Sequence, residues 1–346
     1  MLLKELVEAD GVSGCEKAVR EVLIKAIEGR ADEYRVDSLG NLIAVKYGRG
    51  QPGKGPRKVM VAAHMDEVGL MVTKVERDGC VRFAPVGGVD PRVVVAKAVR
   101  IGDERIPGVI GVKPVHLLEP SERERVLEFD QLTIDTGMSG EEAQRRIRPG
   151  MYAAFATAFE PLDQEGLRTV KGKAFDDRVG CAVLVELLGE TYSFDFYAVF
   201  TVQEEVGLRG ARVAAYAVEP DVAFALEGTV CDDSPKEKDT SPTTRLGAGP
   251  ALTIMDRSVI CDRRLVQMLI AEAESEGIPY QVKQPGIGGT DAGAIHLQRE
   301  GIPSAVVAVP ARYIHSPVSV ISLNDFENAV RLMRGTLQRL RGGLEQ

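Results

Sequence analysis

The chain has 346 residues, 44% of them hydrophobic and 27% charged, with a formal net charge of −8. That length accommodates two domains, or one domain carrying a large insert, and the composition is that of an ordinary soluble globular protein. The negative balance, with no basic run interleaved with aromatics, excludes nucleic acid or an anionic membrane surface as the main partner.

Residues 2–9 and 15–28 carry apolar positions at helical spacing, with Gly11-Val-Ser-Gly14 as a breaker between them. Neither this start nor any later segment has the basic lead and long apolar core of a secretion signal, or the roughly 20 apolar residues of a membrane span. Strand-like runs follow at Tyr34–Val36 and Leu42–Val45, then a Gly/Pro/Lys-rich loop. Lys58–Ala63 is a continuous apolar run of the kind found in a central parallel strand, and it leads into His64-Met-Asp-Glu-Val-Gly69.

From about 70 to 165 the texture changes to short β-type runs: Gly69–Val75, Val81–Phe83, Val93–Ile101, Val109–Ile110, Leu132–Asp135 and Tyr152–Phe155. One helix is expected from Ser139 to Arg146, with a serine cap and acidic residues in its first turn. Residues 70–165 therefore read as a compact β-rich insert between 1–69 and 166–346. Past 170 the α/β alternation returns, with helices at 177–189, 210–216, 262–276, 290–299 and 323–341. The intervening strands fall at Asp195–Val202, Asp221–Leu226, 251–254, 279–283 and 304–309. The polar stretch 231–250 reads as a loop over the active face. The expected class is α/β, with a three-layer α/β/α catalytic domain. His64, Glu205 and Glu227 are expected just past the C-terminal ends of strands, the edge where open α/β sheets bind ligands.

Taken singly, these acidic and imidazole side chains have plain structural readings: a hydrogen-bonded histidine, a solvated Glu204-Glu205 pair, an Asp176-Asp177 helix cap. Together they point elsewhere. Two of the four histidines, His64 and His315, lie in apolar-flanked loops, and Asp176, Glu204-Glu205 and Glu227 fall between them at element junctions. Two imidazoles with three or four carboxylates are what a pair of borderline divalent ions requires. At a metal spacing of about 3.5–4 Å one carboxylate must bridge, and of two adjacent glutamates one can bind metal while the other serves as base. Asp66 is close enough in sequence to orient the His64 imidazole. His296 and Cys181 read as packed residues, and His116 as a structural or assembly residue of the insert. The five cysteines, an odd number without C-x-x-C spacing, fit neither a disulfide framework nor a zinc knuckle and suggest a reduced, cytoplasmic setting.

Four segments, His64-x-Asp66-Glu67-Val-Gly, Ala174-Phe-Asp176-Asp177-Arg178, Glu204-Glu205-Val-Gly-Leu-Arg-Gly-Ala and Tyr313-Ile-His315-Ser-Pro, resemble those of the dinuclear TET and glutamyl aminopeptidases. Lys113–Leu118 and Gly288-Gly-Thr-Asp-Ala-Gly293 look like further signatures of that family, and the likeness runs in order over nearly the whole chain. The resemblance implies that His64 ligates one metal and His315 the other, that Asp176 bridges, and that Glu205 and Glu227 are terminal carboxylates. It makes Glu204 the general base for the attacking water, with Asp66 as its catalytic companion beside His64. Asp177 stands where relatives often have Asn, and Glu227 where they frequently have Asp. Thr290 and Asp291 are expected to line the substrate pocket. Two divalent ions, zinc or cobalt, are implied as cofactors and peptides as substrates. The insert is implied to be a PDZ-like dimerisation domain, with dimers assembling into a hollow tetrahedral dodecamer.

Other metal-dependent amidases of the clan, deacylases and carboxypeptidases, carry their accessory domain after the Glu-Glu pair, whereas here the β-rich stretch precedes Asp176. A glycoside hydrolase needs two opposed carboxylates and no metal; the absence of Trp and the 5% aromatic content leave little material for sugar stacking. A peptide-binding scaffold without catalysis is the remaining alternative.

Overall fold

The computed structural model describes residues 1–49, 57–233 and 244–342. Helices α1 (Leu2–Glu8) and α2 (Lys17–Ile27) open the chain, followed by β1 (Glu33–Val36), β2 (Leu42–Lys46) and β3 (Lys58–His64). Then come β4 (Gly69–Val75), β5 (Val81–Val86), α3 (Pro91–Val94), β6 (Ala98–Ile101), β7 (Ile106–Gly111), α4 (Pro120–Arg123), β8 (Thr133–Asp135), α5 (Gly140–Arg146) and β9 (Tyr152–Phe155). The third part comprises β10 (Glu160–Pro161), β11 (Thr169–Gly172), α6 (Phe175–Leu187), β12 (Asp195–Thr201), α7 (Arg209–Val218), β13 (Val222–Cys231) and β14 (Ala251–Thr253). It ends with α8 (Arg263–Ser275), β15 (Gln281–Val282), α9 (Ala292–Ile295), β16 (Ser304–Arg312), β17 (Ser319–Ser322) and α10 (Leu323–Arg339).

Strands β4 to β9 close into a barrel in the order β4-β5-β8-β7-β6-β9, around a core that includes Leu70, Phe83, Ile101, Ile134 and Phe155. The remaining strands form one mixed sheet, running β1-β2-β12-β3-β13-β16-β17-β11-β10, with β14 and β15 attached beside β16. Its centre, β12, β3, β13 and β16, is parallel. The continuous apolar run of β3 follows from burial on both faces. Val59, Val61 and Ala63 pack with residues of α1, α2, α6 and α10, while Met60 and Ala62 pack on the other face with α7 and α9. The result is a three-layer α/β/α unit with a β-barrel spliced in directly after β3.

Several expectations shift for local physical reasons. The strand expected over Val93–Ile101 begins at Ala98, because Asp90 accepts from the Arg92 N–H at 2.8 Å and Pro91 pre-sets the first helical turn of α3. The helix expected over 290–299 is the single turn α9. Short edge strands β10, β11 and β17 carried too little pattern to be read from sequence, yet they extend the sheet on one side. Of the loop expected at 231–250, residues 234–243 lie outside the described residues, as do 50–56 of the Gly/Pro/Lys-rich loop.

Glu227 is the correction that matters most. It does not follow β13 but lies inside it, because residues Glu227–Cys231 continue pairing with Ala308–Arg312 of β16. Strand β3 pairs only with Val222–Ala225 and stops at His64. The last half of β13 thus projects past the end of β3, and its free edge overhangs the position where the chain leaves the sheet.

Behind that edge lies a buried ionic network. Glu67 accepts from Lys173 Nζ at 2.6 and 2.8 Å, from Arg178 Nη2 at 3.3 Å and from the Gly11 N–H at 2.9 Å. Lys173 also donates to Ala9 O at 2.8 Å, and Arg178 Nε donates to Met65 O at 2.8 Å while Nη1 reaches the carbonyls of Leu6 and Ala9. Burial pulls the Lys173 ammonium down to about 8, against the attraction of Glu67. This network clamps the end of α1, the residues after β3 and the start of α6 together. Removing one partner leaves a charge stranded in a dry interior, a loss of about 3–5 kcal/mol. Lys173→Met is therefore expected to lower the unfolding free energy from denaturant titration by that amount; a value within about 0.5 kcal/mol of the wild type would show that the network does not hold the fold.

Candidate metal centre

The ends of β3 and β12, the middle of β13, the start of α6 and the loop after β16 converge on one cluster. His64 Nε2 lies 3.2 Å from Asp176 Oδ1, 3.6 Å from Glu227 Oε2 and 3.9 Å from Glu204 Oε2. His315 Nε2 lies 3.4 Å from Asp176 Oδ2 and 3.3 Å from Glu205 Oε2. Two groups of possible ligands result, His64–Asp176–Glu227 and Asp176–Glu205–His315, each with donor atoms within 4.8 Å of one another. Asp176 belongs to both and offers a different oxygen to each.

The backbone explains why adjacent aspartates separate. Asp176 (φ −84°, ψ 107°) and Asp177 (φ −123°, ψ 45°) are joined by a cis peptide and are not yet helical. Asp176 faces the two imidazoles, whereas Asp177 is fully buried, accepting from the His64 N–H at 3.2 Å and the Gly180 N–H at 2.9 Å. Asp177 thus fixes the backbone of His64 and the first turn of α6. Left-handed non-glycine residues flank the cluster: Ala174 (φ 53°), Gln203 (φ 56°), Tyr313 (φ 60°) and His315 (φ 57°). Such conformations cost energy and persist where surrounding contacts impose them.

Each imidazole is oriented from behind. His64 Nδ1 donates to Asp66 O at 3.1 Å and His315 Nδ1 donates to Gly88 O at 3.2 Å, so each Nε2 faces the cluster, where its loss of a proton frees a lone pair for a cation. Gly88 belongs to the barrel side of the chain, which therefore reaches into the site. Asp66 is buried and is a hub: Oδ2 accepts from Ser13 Oγ at 2.6 Å and the Glu205 N–H at 3.2 Å, and Oδ1 from the Glu204 N–H at 2.9 Å. Thr290 lines the neighbouring cavity, its hydroxyl donating to Asp256 Oδ2 at 3.0 Å. Asp291 sits behind Glu227: its N–H donates to Glu227 Oε1 at 3.1 Å, and its carboxylate accepts from Thr201 Oγ1 at 2.5 Å. His296 bonds Ala292 O within its own helical turn, and Cys181 donates to His64 O from the core.

Sequence reasoning did not single out Ser13, Gly88 or Lys173. Ser13 and Gly88 lie far along the chain from what they touch. Lys173 carried a faint signal in immediately preceding the Ala174–Arg178 motif.

The electrostatics ask for cations. Burial raises Glu204 and Glu227 well above the usual carboxylate range, and mutual repulsion among the acids adds to it. Burial lifts Glu205 to about 7 against the attraction of His315, and repulsion from Asp176 adds to the rise. Burial opposes protonation of the imidazoles, but hydrogen bonds to Asp176 prevail, raising His64 and taking His315 to about 9. Asp176 itself is driven low: burial resists, and the two imidazoles override it. Four buried carboxylates around two imidazoles form an oxygen-and-nitrogen donor set that fits borderline divalent ions, with the charge to neutralise them.

Residues 40–332 match the M42 glutamyl aminopeptidase family. The chain belongs to that family. It is 42% identical over 335 residues to a putative aminopeptidase of Acetivibrio thermocellus, covering 96% of each chain. It is 36% identical to the lysyl aminopeptidase of Pyrococcus furiosus, covering 98% of this chain and 97% of the other. Among solved structures it resembles an aminopeptidase from the archaeon Desulfurococcus kamchatkensis, with a TM-score of 0.91, 37% identity, and 98% and 94% of the two chains covered. It also resembles the Pyrococcus horikoshii TET1 peptidase, described as able to assemble into a tetrahedron or a large octahedral shell (TM-score 0.84, 34% identity, 97% and 98% covered). This M42 chain is an aminopeptidase-type peptide hydrolase with the architecture of its relatives.

Gly228, next to Glu227, provides a test of how tightly the shared aspartate is held. A Cβ there would stand 2.8 Å from Asp176 Cα and 3.0 Å from its Cβ. Overpacking of this kind costs about 1–3 kcal/mol, here against the backbone of the shared residue. Gly228→Ala is expected to fold with reduced stability and to take up less divalent metal per subunit. Full metal content and unchanged stability would mean that Asp176 has room to shift.

Proposed function

We propose that this protein is a dinuclear-metal aminopeptidase that removes N-terminal residues from peptides, with Glu204 as general base. The single observation that carries the reading is the sharing of Asp176 between the two imidazole-carboxylate groups, with Glu204 at their edge. His64, Asp176 and Glu227 would hold one ion, and Asp176, Glu205 and His315 the other. Two divalent ions in such a site supply Lewis acidity toward a peptide carbonyl and make water acidic at neutral pH.

The chain's own groups supply the rest. Glu204 lines the cavity, and its N–H is anchored on Asp66, so its carboxylate is held beside the cluster without belonging to either group. A buried carboxylate with a raised pKa accepts a proton readily from the attacking water and returns it to the leaving amine. The substrate's free α-amino group is attracted to this acidic edge, which favours cleavage at chain ends. Asp66 acts through others, positioning His64, Glu204 and Glu205. Thr290 contributes to the cavity wall, and Asp291 supports Glu227 from behind.

Self-association belongs to the same reading. The barrel side of the chain exposes Val109, Val112, Val115, Leu117 and Val126, an apolar surface suited to another copy. The TET1 relative's tetrahedral assembly supports dimers that build a hollow dodecamer. No helix among the described residues is long and apolar enough to cross a membrane, and all five cysteines are free, in keeping with a cytoplasmic setting.

Glu204→Gln is expected to retain both metals while kcat falls by roughly 10²–10⁴-fold, the usual contribution of a general base. Metal analysis beside single-turnover kinetics would read this; full turnover at full metal occupancy would sink the assignment. Chelation should abolish hydrolysis of aminoacyl chromophores, and zinc or cobalt should restore it. Because Glu205 and His315 hold protons up to about 7 and about 9 in the metal-free protein, metal uptake must release protons. Affinity is therefore expected to rise with pH across that interval and to weaken below it. Calorimetry in buffers of different ionisation enthalpy would detect the released protons, and uptake with no net release would contradict the ligand set.

A further inference from the structure

The turn between α1 and α2, residues 11–16, does more than reverse the chain. It is laced to the segment that leaves β3: the Glu67 N–H donates to Gly11 O at 3.0 Å, the Ser13 N–H to Glu67 O at 3.3 Å, and Val12 pairs with Glu67 in a parallel bridge. Inside the turn the Cys15 N–H donates to Val12 O at 2.7 Å, and Gly14 takes a φ of 88°, which its missing Cβ permits. The turn ends on Glu16, which is 4% exposed. Glu16 stands at the N-cap position of α2, yet its carboxylate does not cap that helix. Its Oε1 turns back and accepts from the Gly14 N–H at 2.6 Å.

The same oxygen accepts from the Gln203 N–H at 3.2 Å, a contact between residues 187 apart in sequence. Gln203 lies just past β12 and immediately before Glu204. The Glu204 and Glu205 N–H groups go to Asp66 Oδ1 and Oδ2 at 2.9 and 3.2 Å, so three consecutive amides are held by two buried carboxylates. Ser13 Oγ donates to Asp66 Oδ2 at 2.6 Å, and the one turn thereby anchors both acids. Gln203 is left-handed (φ 56°), a conformation that a residue with a side chain keeps only where its contacts impose it. Glu16 supplies the contact at its N–H, and the Arg209 N–H, 3.2 Å from Gln203 O, supplies the one at its carbonyl. Burial pushes the Glu16 carboxyl up, the Gly14 hydrogen bond opposes the rise, and the charge of Asp66 adds to it. An acid buried at that cost has its oxygen committed to two backbone amides, one of them next to Glu204.

We propose that Glu16 is a positioning residue for the general base Glu204. By holding the Gln203 N–H it fixes the left-handed turn at the end of β12, and that turn sets the direction in which Glu204 enters the edge of the cluster. The proposal rests on the reading of Glu204 as base. Asp66 does not substitute for Glu16, because Oδ1 already serves the Glu204 N–H and Oδ2 serves Ser13 and Glu205. Without Glu16 the amide before Glu204 loses its acceptor and Gln203 relaxes out of the left-handed region. The base then shifts away from the centre, while Glu205, held by Asp66, keeps its place. A displacement of about 1 Å at a reacting group costs on the order of 10²-fold in rate.

The test compares zinc- or cobalt-loaded full-length variants on the fastest of a panel of aminoacyl p-nitroanilides, with metal content measured beside kcat and KM. Glu16→Ala is expected to lower kcat by roughly 10- to 100-fold with KM and metal content unchanged. Glu16→Gln should keep most of the activity, because its amide oxygen still accepts from both N–H groups. Glu16→Asp keeps the charge but withdraws the oxygen by one methylene; it should behave like the alanine variant, and it carries the test where that variant does not fold. A double-mutant cycle separates positioning from support of the fold. On a Glu204→Gln background the loss from Glu16→Ala should vanish, since the group it positions is gone. Wild-type kcat in Glu16→Ala or Glu16→Asp overturns the proposal. So does an equal loss on both backgrounds, or a loss that follows metal content, the patterns of a residue that only supports the fold or a metal ligand. A Glu204→Gln enzyme with full turnover removes the base assignment, and this inference with it.

Discussion

Repulsion among carboxylates is the constraint on which the architecture turns. Asp176, Glu204, Glu205 and Glu227 converge on two imidazoles, with Asp66, Asp177 and Asp291 directly behind them. In a medium of reduced dielectric, carboxylates gathered at one centre repel one another whenever they are ionised, which adds to the cost of their burial. The fold meets the demand with stiff elements. Strand β13 overhangs the end of β3, which puts Glu227 opposite His64. Asp66 draws in the amides of Glu204 and Glu205, and the Glu67–Lys173–Arg178 network anchors the segment that carries Asp66. The repulsion is confined to one edge of the sheet, and the hydrogen bonds that resist it fan out into the core behind.

The barrel takes part in this arrangement. Its chain leaves the sheet directly after His64 and returns before Asp176, so both ends of the insertion lie next to the cluster. Gly88 supplies the carbonyl that fixes the His315 tautomer, although more than two hundred residues separate them in sequence. An insertion elsewhere in the sheet would leave the exposed His315 without that partner. This connects the topology to the chemistry: displacement of the barrel would loosen one imidazole and leave the other, locked by Asp66 within β3's own exit turn, in place.

How much of this was readable depends on how local each cause is. The parallel strand β3 announced itself because burial on both faces forces an unbroken apolar run. Helices α6, α8 and α10 did so through length and spacing. The six principal site residues stood out because charged or imidazole groups beside apolar runs need an explanation, and several such places together need a common one. Glu227 was misplaced relative to β13 because its pairing with β16 is a long-range fact; nothing in Leu-Glu-Gly-Thr marks a strand that continues beyond its neighbour. The turn at Pro91 was mistaken for strand because β-branched valines outweighed the capping signal of Asp90. Ser13 and Gly88 act through contacts made only when distant segments meet, and single-sequence patterns carry no record of such contacts.

The geometry also separates hydrolysis of peptides from hydrolysis of glycosides. A glycosidase works with two carboxylates facing each other across a bond, one of them free to carry a proton to the leaving oxygen. Here Asp176, Glu205, Glu204 and Glu227 each lie within 4 Å of an imidazole Nε2. The cluster has a different logic: each imidazole is turned so that its Nε2 joins the carboxylate oxygens at a common centre, a donor set that fits a cation. Glu204 alone stands at the margin of both groups, close enough to exchange a proton with a nucleophile at the centre and unclaimed by either. Under the proposed function, a single glutamate so placed serves as base and then as acid in the same turnover, which is what cleavage of an amide with a poor amine leaving group requires.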